Sequence, residues 1–269
     1  MTNLYEFIEI FKRITRFQID ADDLDKNLII GPSYISKQKR RKIKKAILAL
    51  NLSKDVLIEA LRNKIDLILI FNFEEWERNL IDENLEIVKY IIENNINVYQ
   101  IPESWIYSEG GLNETIANIL KLEIEGVFNI QIDNKTLPYG RICSPFKSQL
   151  RYSLLLNLIS EKLGLNPFQY LIKNKSSDIV EKCVILLGRD AKNNWLRRAK
   201  IDEIGLFIGN GLTYSLARYS ETIGINFIDL TYSPIRFGIS RLSKILSIEC
   251  PEIEFMEIDS SFPLRFFST

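Results

Sequence analysis

The chain of 269 residues contains no histidine. Histidine is the side chain that proteins most often use as a general base near neutral pH and as a ligand for transition metals. Its absence excludes serine or cysteine nucleophiles activated by an imidazole, and metal centres built on imidazole nitrogens. Catalysis, if there is any, is left to carboxylates, lysine, tyrosine and unassisted thiols.

Cysteine is scarce and neither sign of charge is in excess. Cys143, Cys183 and Cys250 are odd in number and widely spaced, which predicts free thiols in a reducing cytoplasm. Lys+Arg and Asp+Glu balance at 35 each, so no global field favours nucleic acid or an anionic membrane. The sequence also lacks an apolar run of membrane-spanning length and the features of a signal peptide. We therefore expect a soluble, cytoplasmic protein.

Strand and helix patterns alternate through both halves of the chain. Apolar runs such as Ile65–Phe71 and Ile204–Ile208 predict parallel strands that helices cover on both faces. Between such runs, apolar residues three and four positions apart predict helices, and the first of these helices has on one face Leu4, Phe7, Ile8 and Phe11. Ser53 is the predicted N-cap of the helix that runs to Leu61. The sequence therefore predicts an α/β fold of two lobes with largely parallel sheets and a cleft between the lobes.

A turn-rich segment from Asp133 to Pro145 is the predicted boundary, because Asn, Pro and Gly cluster there. The first α/β lobe is expected to cover residues 1–135 and the second residues 136–269. An arrangement in which the C-terminal elements pack back on the first lobe is left open.

The stretch Val98–Asn113 predicts a strand end, a loop and a glycine pair that opens a helix, with Asn113 as the helix cap. Loops at the carboxyl ends of parallel strands are where α/β proteins bind ligands. This loop carries Glu103 and Ile106 but no recognisable catalytic set.

Three smaller features each have a functional and a structural interpretation. The basic run Lys37–Lys45 suits a phosphate-binding patch, but zero net charge favours a solvated approach to the strand Ala46–Leu50. Gly209–Gly211 could hold a phosphate, but without a Rossmann fingerprint a tight turn with positive φ is favoured. Cys143 is the thiol expected in a loop, without a basic partner to activate it.

Five segments resemble one protein family in order and spacing: Leu48–Ser53, Asp66–Ile70, Val98–Asn113 with its Glu-Gly-Gly-Leu-Asn end, Pro138–Ile142 and Leu230–Ile239. From about Gly31 onwards the chain resembles the NGG-one-interacting-factor-three family, also known as type 2 GTP cyclohydrolase I homologues. The resemblance implies two α/β lobes, a toroidal hexamer and a dinuclear metal centre between the lobes.

The metal-ligand positions of that family carry other residue types in this chain. Phe71 and Asn72 stand at the paired-histidine positions, Ile106 at the bridging aspartate, Thr231 at the C-terminal histidine and Ile235 at the glutamate. Phe and Ile have no donor atom, and Asn and Thr offer only neutral oxygens. We expect a degenerate site without metal or cofactor, in which Phe71, Trp105, Ile106 and Ile235 form an apolar filling.

Carboxylates near the same strand ends leave an alternative open. Glu74, Glu75, Glu103 and Asp229 offer the oxygen donors that Mg²⁺ or Ca²⁺ accepts, as a divergent metal-dependent or nucleotide-directed hydrolase would need. The same residues fit a solvated loop, and in the case of Asp229 a pair with a local Lys or Arg. No spacing signature favours the metal site.

The prediction from sequence is a non-catalytic, metal-free member of this family, a pseudoenzyme with a scaffold or binding role. Its expected partners are further copies of itself, in a homo-hexameric ring, and a small molecule in the cleft between the lobes. Nucleic acid is not an expected partner, and a nucleic-acid-binding module through Lys37–Lys45 remains an alternative. The candidate ligand-binding residues are Asn72, Glu103, Asn210, Thr231 and Tyr232.

Overall fold

The computed structural model describes residues 2–15, 27–71, 85–132, 135–146, 149–173 and 178–258. These residues form two compact units. Unit 1 holds residues 2–108 and 239–258, and unit 2 holds residues 109–238. Helices and strands alternate in both units, which confirms the predicted α/β class.

Unit 1 is built on a five-stranded sheet. Its elements are α1 (Leu4–Ile14), β1 (Leu28–Ile30), α2 (Ile35–Gln38), β2 (Lys45–Ala49), α3 (Lys54–Arg62), β3 (Leu67–Ile70), α4 (Leu85–Glu93), β4 (Asn97–Gln100), α5 (Ser104–Tyr107), most of α10 (Ile235–Glu249) and β13 (Glu254–Ile258). The strand order is β1-β4-β3-β2-β13, and all neighbours are parallel except the edge strand β1. The C-terminal strand β13 thus packs beside β2.

Sequence periodicity accounts for the first helix. The residues predicted on one face of α1, Leu4, Phe7, Ile8 and Phe11, are its buried residues. Asn3 caps the helix in a reciprocal capping box with Glu6. The apolar face and the cap together fix where α1 begins and which side it buries.

Unit 2 is built on a six-stranded sheet in the order β5-β6-β10-β11-β12-β8, with β7 and β9 paired separately. Its elements are α6 (Leu112–Ile119), β5 (Leu122–Ile132), β6 (Lys135–Pro145), β7 (Leu150–Arg151), α7 (Tyr152–Leu163), β8 (Tyr170–Leu171), β9 (Ile179–Val180), β10 (Cys183–Asp190), α8 (Asn193–Ile201), β11 (Leu206–Asn210), α9 (Tyr214–Ile223) and β12 (Asn226–Asp229). The central strands β10, β11 and β12 are parallel, and the strands flanking them are antiparallel.

The segment predicted as a boundary, Asp133–Pro145, is mostly strand. It forms β6, which pairs with β5 along a long antiparallel ladder, so the expected boundary at 135/136 falls inside a hairpin. Pro138 is tolerated because the register shifts there: Leu137 faces Ile130, and Gly140 faces Phe128. A proline lacks a ladder donor, and a bulge removes the need for one.

No helix in the described ranges is long and apolar enough to cross a membrane.

Candidate functional site

The carboxyl ends of β2, β3 and β4 lie on one edge of the unit 1 sheet, because these strands are parallel. Phe71 follows β3 directly. Its backbone N–H donates to the carbonyl oxygens of Ala49 at 3.2 Å and Leu50 at 3.1 Å, and its side chain is half-buried. The other predicted residues of this loop, Asn72, Glu74 and Glu75, lie outside the described residues.

The loop after β4 turns through the single helical turn α5. Trp105 and Tyr107 are fully buried, and Ile106 is 2% exposed. The Ile106 N–H donates to the carbonyl oxygen of Glu103 at 2.9 Å, while the Glu103 side chain is half-buried. This strand end therefore places apolar side chains in the interior, with one carboxylate beside them.

The glycine pair opens α6 as predicted, but Asn113 does not cap it. Gly111 holds the cap position, and Asn113 lies in the first turn with its side chain fully buried. The Asn113 amide donates to the Tyr139 carbonyl oxygen at 2.7 Å and accepts from the Leu187 N–H at 3.0 Å. The amide thus joins α6 to β6 and β10, because a buried amide needs both a donor and an acceptor as partners.

The matched segment Pro138–Ile142 also has a structural role. Arg141 is 2% exposed, and its Nε donates to the Glu114 carboxylate at 2.7 Å. Its terminal nitrogen donates to the carbonyl oxygens of Pro138 and Gly140, each at 3.2 Å. The guanidinium therefore fixes the bulged part of β6 to the first turn of α6.

The carboxyl ends of β10, β11 and β12 form the corresponding edge of unit 2, and Asn210 joins them. Asn210 is 1% exposed. Its side-chain oxygen accepts from the Gly188 N–H at 2.8 Å, and its amide nitrogen donates to the Thr231 carbonyl oxygen. One side chain from β11 thus holds the loops that follow β10 and β12.

Asp229 ends β12. One interpretation of the sequence expected it to pair with a local Lys or Arg, but in the part of the chain that the structure describes it forms no such pair. One carboxylate oxygen accepts from the Thr231 N–H at 2.7 Å, and the other accepts from the Leu212 N–H at 2.8 Å. Backbone N–H groups can satisfy a buried carboxylate, and this one is 7% exposed. Asp229 is therefore engaged in holding two loops together.

The outer part of this edge carries Asp190 and Tyr232. The Tyr232 hydroxyl donates to an Asp190 carboxylate oxygen at 3.0 Å, and Asp190 is exposed. Gly211 lies beside them with φ of +78°, as predicted for the tight turn. A Cβ at Gly211 would stand 2.5 Å from an Asp190 carboxylate oxygen, so this approach requires glycine.

Thr231 adopts φ of +54°, a left-handed conformation that is rare for a β-branched residue. Its hydroxyl accepts a long bond of 3.4 Å from the Ser233 N–H. Such a conformation costs on the order of 1–3 kcal/mol and persists where surrounding contacts impose it. Here the Thr231 N–H donates to Asp229 and the Thr231 carbonyl oxygen accepts from Asn210, and these two bonds impose the conformation.

Of the five predicted binding residues, the structure brings together Asn210, Thr231 and Tyr232. Glu103 belongs to unit 1, and Asn72 lies outside the described residues. Asp190 was not among the predicted site residues, although it follows the apolar run Cys183–Leu187 and the Gly188-Arg189 pair. A carboxylate in that position, next to a glycine turn, was the available signal.

We call Asp190, Asn210, Asp229, Thr231 and Tyr232 the strand-end cluster.

Cys143 was expected in a loop, but it is fully buried within β6. It faces Cys183 directly across the β6–β10 pair. The hydrogen bond that the Cys183 thiol makes to Cys143, together with burial, raises the pKa of Cys183 well above its ordinary value. The Cys183 thiol therefore stays protonated and is a core side chain rather than a nucleophile.

Comparison with known proteins shows one family along nearly the whole chain. Residues 2–263 match Duf34/NIF3 (NGG1p interacting factor 3). A GTP cyclohydrolase 1 type 2 homolog from Clostridium perfringens is 25% identical over 232 residues, which are 84% of this chain and 84% of that protein. One from Methanocaldococcus jannaschii is 23% identical over 259 residues, 95% of this chain and 98% of that protein.

Solved structures share the fold. A Bacillus cereus protein related to NIF3 superposes with a TM-score of 0.77 at 13% identity, covering 99% of both chains. Reduced HcgD from Methanocaldococcus jannaschii superposes with a TM-score of 0.72 at 20% identity, covering 96% of this chain and 98% of that one.

The side chains at the positions where the resemblance implies metal ligands do not fit a dinuclear centre. Phe71, Ile106 and Ile235 have no atom that could donate to a metal ion, and Ile106 and Ile235 are only 2% and 3% exposed. The Thr231 hydroxyl is a neutral oxygen that already accepts from Ser233. Within the described ranges, His, Cys, Asp and Glu form no group of three that could hold a metal ion.

Proposed function

The chain belongs to the Duf34/NIF3 family, and we propose that it acts without a dinuclear metal centre, as a binding and scaffold protein. The observation that carries the proposal is the chemistry of the side chains at the metal-ligand positions. Two of them, Ile106 and Ile235, are buried isoleucines, and a divalent ion needs nitrogen, oxygen or sulfur donors in such places.

Loss of the ligands would remove the chemistry as well as the ion. A catalytic metal supplies a Lewis acid and an activated water, and the chain has no histidine that could activate a water as a general base instead. Both oxygens of Asp229 already accept backbone N–H groups. Its engagement in loop geometry supports a structural role rather than proton transfer.

The strand-end cluster supports binding of a small polar molecule. Asp190 presents an exposed carboxylate that the Tyr232 hydroxyl orients. Around them the backbone is fixed by Asn210 and Asp229, so the groups that would meet a ligand are preorganised. A ligand with hydroxyl or amino groups complements a carboxylate of this kind, because such groups donate to it.

Assembly into a ring is the second part of the proposal. The family match extends from residue 2 to residue 263, so the whole scaffold, and not one lobe, has been kept. The three thiols are buried and free, as a reducing cytoplasm would keep them.

Metal analysis tests the proposal. The native protein is equilibrated with Zn²⁺, freed of unbound ions and analysed by mass spectrometry of its metal content, and we expect well below one ion per chain. A variant that restores the ligands (Phe71→His, Asn72→His, Ile106→Asp, Thr231→His, Ile235→Glu) should bind substantially more. The matched control carries amide side chains, which are polar but poor metal ligands, at the same positions (Phe71→Gln, Asn72→Gln, Ile106→Asn, Thr231→Gln, Ile235→Gln). Stoichiometric metal in the native protein would refute the proposal.

A further inference from the structure

Five exposed cations lie within eight residues, from α2 to the start of β2: Lys37, Lys39, Arg40, Lys42 and Lys44. In the described part of unit 1, Lys45 pairs with Glu254 at 3.0 Å, but none of these five pairs with a described carboxylate. Two of the five lie over aromatic rings instead. The Lys37 ammonium is 5.5 Å from the Tyr34 ring centroid, and the Lys39 ammonium is 5.0 Å from that of Tyr5. Among the described residues, the positive charges of this segment therefore have no carboxylate partner, although the chain as a whole is neutral.

The backbone that carries these cations is held in place. The Ile43 N–H donates to the Thr2 carbonyl oxygen at 3.0 Å, and the Lys44 N–H donates to an Asp66 carboxylate oxygen at 2.8 Å. The cations are thus presented from a fixed segment. A partner would have to order the side chains alone, which lowers the entropic cost of binding.

An exposed aromatic ring lies at the start of the same segment. Tyr34 is 68% exposed, and its neighbour Ile35 is 55% exposed. An aromatic ring beside cations offers a stacking platform for an unpaired base, while the cations neutralise the phosphates on either side of it.

We propose that Tyr34, Lys37, Lys39, Arg40, Lys42 and Lys44 form a basic surface that binds single-stranded nucleic acid. The sequence alone favoured a solvated approach because the net charge is zero, but net charge does not report whether neighbouring charges are paired. The lack of carboxylate partners among the described residues and the fixed backbone favour a binding surface over a solvated approach.

The geometry favours a single strand over the other polyanions. A duplex is usually read by a helix that enters a groove, and α2 is a turn of four residues. A bilayer is bound by an amphipathic face with several apolar side chains, whereas Tyr34 and Ile35 are the exposed large apolar residues of this segment. A ring that stacks selects bases that have no pairing partner.

Binding of a fluorescent oligonucleotide of about 12 nucleotides, followed by anisotropy, tests the proposal. One arm uses oligouridylate and the other oligothymidylate, to separate RNA from DNA. Five phosphate contacts on a single strand predict a slope of log K against log salt of about −3.5. Raising the salt from about 50 to about 200 mM should therefore weaken binding on the order of 100-fold.

Two variants separate charge from stacking. Lys39→Gln with Arg40→Gln should reduce the size of the slope by about 1.4 and weaken binding on the order of 25-fold near 0.1 M salt. Tyr34→Ala should weaken binding about 10-fold and leave the slope unchanged. The control is Lys162→Gln with Arg197→Gln. These substitutions remove two exposed cations of unit 2, and therefore the same charge, and the variant should bind like the native protein.

Three outcomes would overturn the proposal. The first is the absence of measurable binding at the lowest salt. The second is equal weakening in the control pair and in the Lys39/Arg40 pair, which would mean diffuse attraction. The third is binding to phosphatidylserine vesicles without binding to either oligonucleotide, which would assign the surface to a membrane.

Discussion

At the scale of single residues, a substitution at position 106 distinguishes an apolar interior from a metal site. The Ile106 side chain is 2% exposed and needs no polar partner. A carboxylate in the same place needs a cation or several donors, because an unpaired buried charge is costly. Whether that position tolerates charge therefore reports directly on what surrounds it.

Ile106→Asp should lower the free energy of unfolding near neutral pH by roughly 3–5 kcal/mol. Ile106→Val, which removes one methylene group, should cost only about 0.5–1.5 kcal/mol and serves as the control. Thermal and chemical unfolding of the two variants measure the difference.

The pH dependence of Ile106→Asp provides a second readout. Burial should raise the folded-state pKa of the new carboxyl above its unfolded value of about 3.9. The charge-dependent part of the destabilisation is therefore absent where both states are protonated, and it grows as the pH rises from that value through the folded-state pKa. The cost of losing the apolar side chain remains at every pH. If Ile106→Asp matched Ile106→Val across this range, position 106 would be open to water, and the metal-free proposal would lose its main support.

At the scale of elements, the sequence predicted the features that depend on the local spacing of residues, namely helix faces and helix caps. The face of α1 and the Ser53 cap of α3 follow from side-chain period and from short polar residues before helices. The strand–loop–glycine pair–helix order from Val98 also appears in the structure, because the glycines mark the start of α6.

Long-range pairing is what the sequence did not reveal. Pro138 and Gly140 indicate a turn, yet they lie in β6, where its pairing with β5 shifts register. The partners of Asn113, which are Tyr139 and Leu187, are also distant in sequence. Likewise, Asp190 and Tyr232 meet only because parallel strands end side by side. These contacts depend on the assembled sheet, which no local window contains.

The turn after β11 gives a prediction at this scale. Gly211→Ala should lower the free energy of unfolding by at least about 1–2 kcal/mol, because alanine is strained at φ of +78° and its Cβ would displace Asp190. Gly205→Ala is the matched control, since an added Cβ there meets nothing within 4 Å and its φ is not positive.

Urea unfolding of both glycine variants measures the effect. Gly205→Ala should be neutral or stabilising by up to about 1 kcal/mol. Equal stabilities would contradict the conformation described for Gly211, and with it the close approach of Asp190 to this turn.

At the scale of the whole molecule, the ring proposal predicts the mass in solution. Light scattering at micromolar concentrations should give a multiple of 31.3 kDa, and six-fold assembly is the expected state. The family match covers residues 2–263, and the proposal takes the metal centre to be lost, so it expects assembly to be the property that has been kept. A strict monomer over a broad concentration range would contradict it.

The order of segments along the chain has a consequence for biosynthesis. The strands of unit 2 come from one continuous segment, residues 109–238, whereas unit 1 needs both its early strands and β13, which pairs with β2. A ribosome releases the chain from the N-terminus, and domains fold as units when their residues have emerged. The edge of β2 that pairs with β13 therefore has no partner until residues 254–258 have been synthesised. Unit 2 comes second in the sequence, but it is the first unit to have all its strands available. During this interval a nascent chain carries an unpaired parallel edge, which is the part of this protein that a chaperone on the ribosome would be expected to cover.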